Sequence, residues 1–222
     1  HAALPVKKSI RKILKLGMPI GFQMLLEIGA FASCTMLAGK LGAITLSAHQ
    51  IVLHIASTTF MIPLAISSAG AVLVAQALGE GNRELATRRG WLAFKLGAWL
   101  MTAIGVIVWI FADPLIGFFT TDQEVIAIAK SLIFIVALFQ IFDATQVIGS
   151  GVLRGLGSSR PSMIANLVGH WCVGVPVAAL LAFKFAWGIS GIWIGLSLGL
   201  IVVAVALVWI WKVLTTTRQT IP

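Results

Sequence analysis

The chain has 222 residues, 59% of them hydrophobic and 10% charged, with a mean hydropathy of +1.02. A water-soluble domain carries charge on roughly a quarter of its residues, so this composition excludes an ordinary soluble enzyme or binding module. The formal charge of +9 does not point to nucleic acid, because Lys and Arg gather in alternate loops between apolar segments, the pattern of a cytoplasmic membrane face.

The sequence opens at His1 and shows no signal peptide, which reads as a fragment or a processed chain. In VKKSIRKILK, Lys7, Arg11 and Lys15 share one helical row, with Val6, Ile10, Ile13 and Leu14 opposite. Residues 1–16 are therefore expected to form a basic amphipathic linker helix on the inner membrane surface. Residues 17–212 hold six apolar segments, each long enough to cross a hydrocarbon core of about 30 Å. They predict an all-α polytopic membrane protein with one six-helix bundle, followed by a polar tail over 213–222.

The first segment covers 18–38, with Pro19 expected in its first turn, where proline is tolerated. The second, 47–78, is too long for a straight crossing and must tilt, kink at Pro63 or project from the membrane. GEGNRELATRRG reads as a loop. The third segment covers 91–112 and ends at Asp113-Pro114. The fourth covers 125–151, and LRGLGSSRP after it reads as a basic loop. The fifth, 162–183, is expected to be interrupted at Pro176. The sixth covers 189–211.

Six crossings put both ends of the bundle on one side. Placing that side in the cytoplasm leaves Lys40, Lys130 and Lys184 outside and the other 13 of the 16 basic residues inside, a strong positive-inside bias. Cys34 and Cys172 lie in apolar segments and read as small buried hydrophobes, not as a disulfide pair.

Five of the seven acids fall in polar gaps; Glu27 and Asp143 do not. An ionised carboxylate in hydrocarbon costs several kcal/mol on the milder scales, so intramembrane acids are rare and belong to ion or substrate paths by default. Around Asp143, Gln140, Gln146 and Ser150 recur at three- and four-residue spacing and share one helical face. On the first segment, Gln23 precedes Glu27 by one turn. Counting from the segment ends puts both acids near the midplane and roughly level. Two carboxylates in one low-dielectric cavity cannot both ionise cheaply, so a proton or a bound cation relieves them, and a cationic substrate competes for the same charge. The alternative is that each acid only ties its helix to a neighbour.

Other polar residues are less telling. His49 and His54 are five apart and do not share a face as a metal pair would; they read as interfacial or cavity-lining. Asn166 and His170, four apart, form a polar face that either bonds across helices or lines the cavity. Gly191, Gly195 and Gly199 form a small-residue ridge for close helix packing. The eight Trp read mostly as interfacial anchors, with Trp171 deeper and placed to face aromatic cations. No Walker sequence, dinucleotide fingerprint or catalytic triad is present, so no enzyme activity and no cofactor is expected, and transport energy would come from an ion gradient.

Four stretches carry a family resemblance: GMPIGFQMLLEIGAFA, LSAHQIVLHIASTTFMIPLAISSAGAVLVAQALGEGN, FQIFDATQVIGSG and VLRGLGSSRPSMIANLVGHWCVGVPV. Together they cover nearly the whole chain and resemble the C-terminal half of a multidrug and toxic compound extrusion (MATE) transporter, most of all its bacterial NorM-type branch. The resemblance implies helices seven to twelve of a twelve-helix protein built from two six-helix lobes. It also implies export of small cationic amphipathic drugs in exchange for Na⁺ or H⁺ across a bacterial cytoplasmic (inner) membrane.

By that resemblance Glu27 and Asp143 fall on the acidic positions of helices seven and ten, where they would bind the coupling proton or, as metal, Na⁺. Gln23, Gln50, His54, Phe139, Gln140, Gln146, Asn166 and His170 would line the substrate cavity. The partners expected are the lipid bilayer, the drug, and either an N-terminal lobe of the same protein or a second copy of this one. Two departures bear on the ion: helices one to six are absent from this sequence, and it has no Tyr, so Phe139, one turn before Asp143, offers no hydroxyl ligand. Two rival readings stand beside this one. A lipid-linked oligosaccharide flippase of the same superfamily would want cations inside its cavity, and no Lys or Arg lies deep in a segment. A structural six-helix protein would use the acids only for packing.

Overall fold

The computed structural model describes residues 6–216, with side chains at residue 10 and from residue 13 onward. The expectations placed on Lys7, Arg11 and the last residues of the tail lie outside these. Among the described residues there are helices and turns but no strand, and six helical stretches are long and apolar enough to cross a membrane.

The first crossing lies in α1 (Val6–Lys40), a single helix of 35 residues. The basic segment and the crossing therefore share one helix, and Pro19 sits in the interior of α1 and not in its first turn. Proline there removes one backbone bond without ending the helix. At the end of α1, Gly42 takes φ +116°, open to glycine without strain, and turns the chain into α2 (Ala43–Gly79). At 37 residues, α2 is about 55 Å long. It continues through Pro63 without a break.

Both segments expected as loops are mostly helix. Within GEGNRELATRRG only Glu80–Asn82 leave helical form, because Asn82 caps α3 (Arg83–Ile110) by accepting the Leu85 N–H at 2.9 Å. The short α4 (Ala112–Gly117) follows. Asp122 then caps α5 (Gln123–Gly155) by accepting the Glu124 N–H at 2.9 Å. Helix α5 ends in a Schellman closure, with Ser158 N–H donating to Leu153 O and Gly157 N–H to Arg154 O, both at 2.9 Å.

The fifth crossing (Arg160–Lys184) is not interrupted at Pro176. It starts as α6 (Arg160–Asn166), widens into a π-helical turn over Leu167–Gly174, tightens as α7 (Val175–Ala179) and widens again over Leu180–Lys184. Pro176 has no N–H to give and its ring crowds the carbonyl four residues back. A wider turn before it, with Val175 N–H reaching back to His170 O, accommodates both. The sixth crossing is α8 (Gly188–Thr216).

Helix α5 is the centre of the bundle, packed against α2, α3 and α8. Apolar clusters fill the bundle at both ends. One joins Val52, Ile133, Phe139, Trp193 and Leu196; the other joins Val74, Phe94, Val152, Leu207 and Trp211. Trp193 and Trp211 are thus core residues and not interfacial anchors, whereas Cys172, expected to be buried, is exposed. The ridge on α8 does bring backbones together: a Cβ on Gly199 would come within 2.7 Å of the Gly169 carbonyl oxygen and 2.9 Å of Gly174 Cα. The outward face of α1 is left apolar, with Leu25, Ile28 and Met36 more than 60% exposed.

Candidate functional site

The polar stripe of α5 is buried and meets polar residues of α1 and the fifth crossing. Gln23 Nε2 donates to Ser150 Oγ at 3.0 Å, and Gln146 Nε2 donates to Glu27 Oε2 at 3.2 Å. These two bonds step four residues forward on α1 and four residues back on α5, the register of an antiparallel pair. Gln146 also donates to Asn166 Oδ1 at 3.1 Å, and Asn166 in turn donates through Nδ2 to Ser162 O at 2.9 Å. His170 Nδ1 lies 3.3 Å from Asn166 O. One amide therefore ties Glu27 of α1 to the fifth crossing through α5.

Asp143 stands one helical turn from Gln146, about 4.5 Å further along α5. It is 8% exposed, and its Oδ1 has no hydrogen-bond partner among the described residues. The residue level with Glu27 is thus Gln146, and Asp143 sits a turn beyond it. Gln146 Oε1 and His170 Nε2 are likewise buried without a partner. Buried polar atoms are nearly always paired, so this group of orphans makes the cluster the candidate place for a proton, ion or water to bind.

Aromatic rings close the cluster on the side away from Gln23. Phe31, one turn beyond Glu27, packs edge-on to Phe139 at 6.0 Å and lies 6.4 Å from the His170 ring. Phe139 continues to Trp193 at 5.4 Å, and Trp193 to His49 at 5.5 Å. His49 is buried beside Thr35, whose hydroxyl oxygen lies 3.1 Å from His49 Nε2, so it belongs to this wall and not to an interface.

The remaining candidates separate. Gln140 is buried and its Oε1 accepts from Thr59 on α2 at 2.6 Å, in the same face as Asp143. Gln50 is half-buried on α2 and makes no hydrogen bond to the cluster among the described residues. His54 is exposed and stacks on Phe119 beyond α4, with ring centres 6.3 Å apart, so the structure does not bring it to the acids.

Two participants were not legible from spacing. Thr59 follows Ser57 and Thr58 on α2, and nothing in the spacing singles it out. Trp171 reads as a ring facing a pocket, yet its Nε1 donates to Leu26 O at 2.9 Å, fastening the fifth crossing to α1 one residue before Glu27. Gly29 makes room for that ring: a Cβ there would lie 3.1 Å from it. The pairing of a Trp and a Gly on neighbouring crossings was the only signal.

Six apolar crossings bring two carboxylates and several amides together near mid-span, a polar cluster of the kind that membrane proteins use for ion or substrate paths. Comparison with known proteins makes the class specific. The MatE family model matches residues 19–180. A "Probable multidrug resistance protein NorM" of Mesorhizobium japonicum is 41% identical over 204 residues, spanning 90% of this chain and 44% of that protein. One of Pseudomonas aeruginosa is 36% identical over 208 residues, spanning 91% and 43%.

Among solved structures, the eukaryotic MATE transporter AtDTX14 superimposes with a TM-score of 0.88 at 28% identity, covering 99% of this chain and 50% of that one. An outward-facing MATE transporter of the MOP superfamily gives 0.90 at 19% identity, covering 100% and 50%, which speaks to fold alone. The chain belongs to the MATE family. It spans about half the length of the relatives it matches.

Proposed function

We propose that this chain is the C-terminal lobe of a multidrug efflux antiporter, working against a second six-helix lobe that packs on the apolar outer face of α1. The observation that carries the reading is the Gln146 bridge between Glu27 and Asn166, with the unpartnered Asp143 one turn away. Glu27, Asp143 and Gln146 Oε1 form an all-oxygen donor set, which suits a proton or a hard cation such as Na⁺. When bound, that cation supplies the charge that lets both carboxylates stay ionised in hydrocarbon. Gln146 and Asn166 hold Glu27 in place, and the wall of Phe31 and Phe139 keeps water out.

The substrate class is cationic and amphipathic. A drug cation would compete for the same carboxylates while its apolar body lies along the aromatic wall. Two experiments test this reading. In the full-length protein, replacing both acids (Glu27→Gln with Asp143→Asn) should abolish ethidium efflux from cells at unchanged membrane expression. Wild-type efflux by that double variant would overturn the coupling role. Uptake into inverted vesicles driven by a Na⁺ gradient or by a pH gradient then identifies the ion. The basic residues flanking the α2–α3 and α5–α6 turns (Arg83, Arg88, Arg89, Arg154 and Arg160) support a cytoplasmic position for both ends of the bundle in a bacterial inner membrane.

A further inference from the structure

A second feature lies at the end of the bundle where α1 passes the turn between α5 and the fifth crossing, well away from the acids. A hollow of about 350 Å³ is lined there by Lys15, Leu16, Gly157, Ser158, Ser159 and Arg160. Its volume falls within the range of small-ligand sites, about 300–1,000 Å³. No acid lines it, and two cations do, so it favours an anion.

The hydroxyls add an independent sign. Ser159 is 5% exposed, and its Oγ has no hydrogen-bond partner among the described residues. It stands immediately before the fifth crossing, yet its side chain caps nothing. An orphaned buried hydroxyl is costly unless a ligand or solvent accepts its proton. Ser162, one turn on, is also buried with its Oγ unpartnered. Gly157 takes φ +74°, which turns the chain so that Ser158 and Ser159 face α1 at Lys15.

We propose that this hollow binds a phosphate group, with Lys15 and Arg160 as counter-charges and the Ser158 and Ser159 hydroxyls as donors. The group is supplied by the headgroup of an anionic phospholipid, for which Leu16 offers an apolar contact, or by free phosphate. The site is independent of the efflux reading, since none of its residues belongs to the acid cluster.

The test uses full-length protein in detergent, titrated with phosphatidylglycerol, phosphatidylcholine or inorganic phosphate while thermal unfolding is followed by tryptophan fluorescence. Phosphatidylglycerol should raise the unfolding temperature and phosphatidylcholine should not. Lys15→Gln with Arg160→Gln should weaken the apparent affinity about tenfold or more, as loss of charge-assisted bonds implies. Ser159→Ala keeps both charges and should weaken it about threefold, a loss that diffuse surface attraction would not produce. An equal response to inorganic phosphate assigns the site to a soluble anion; a response to the lipid alone assigns it to the membrane. Equal responses from wild type and both variants would overturn the proposal. So would an equal loss in Arg88→Gln with Lys212→Gln, which removes the same charge from the same end of the bundle. Should the double variant not fold, Ser159→Ala against wild type decides alone.

Discussion

Replacing Gln146 by Leu removes the cluster's central donor while keeping its bulk. The side chain is fully buried and gives two bonds, to Glu27 Oε2 at 3.2 Å and to Asn166 Oδ1 at 3.1 Å. A hydrogen bond to an ionised group contributes about 1.5–3 kcal/mol, and one between neutral groups about 0.5–1.5 kcal/mol. The first governs how well the Glu27 carboxylate is held in place; the second governs how firmly the fifth crossing follows α5. Losing the first alone corresponds to about a ten- to hundredfold fall in the population of the held geometry.

Ethidium efflux by the full-length Gln146→Leu protein should therefore fall by about that factor when compared at matched membrane expression. Gln146→Glu keeps the length but replaces the donor with a third carboxylate, and should cost more. Wild-type efflux by Gln146→Leu would refute the claim that this amide organises the site.

Two further expectations rest on packing. Gly199→Leu drives a side chain into the backbone of the fifth crossing at Gly169 and Gly174 and should lower the unfolding temperature of the full-length protein sharply, overpacking costing about 1–3 kcal/mol or more; an unchanged transition would show that the two helices are not in backbone contact. Trp171→Phe removes the donor to Leu26 O, and should cost about 0.5–1.5 kcal/mol in the same unfolding assay. Gly29→Ala with Trp171 in place should also lower the transition, since its Cβ would lie 3.1 Å from the indole ring; no change would mean the ring does not lie there.

The crossings and the acid cluster were legible because hydrocarbon penalises charge so heavily that two acids inside apolar runs stand out against any background. The stripe of Gln140, Asp143, Gln146 and Ser150 was legible because a helix repeats at a fixed interval. What failed was everything set by partners. Apolar segments report depth in the membrane and not helix ends, so Arg83–Gly90 read as loop although a capped helix tolerates charge once it reaches water. Trp193 and Trp211 sit near helix ends as anchors do, and only the neighbouring helices decide that they face inward. His54 shares a helix with Thr59 but stacks on Phe119, a residue 65 positions away in sequence. Pro176 signalled a break, and the chain answered by widening a turn, because a π-helical turn absorbs a missing donor that a straight α-helix cannot.

The length of α2 has a mechanical meaning. At about 55 Å it is nearly twice the thickness of a hydrocarbon core of about 30 Å. It passes Pro63 unbroken and packs along α5, which carries Asp143 at mid-length. Two long rods packed side by side move together, so on the antiporter reading Asp143 would lie near the middle of any shared tilt. A tilt of about 10° about that point would carry each tip of α2 by about 5 Å while Asp143 hardly moved.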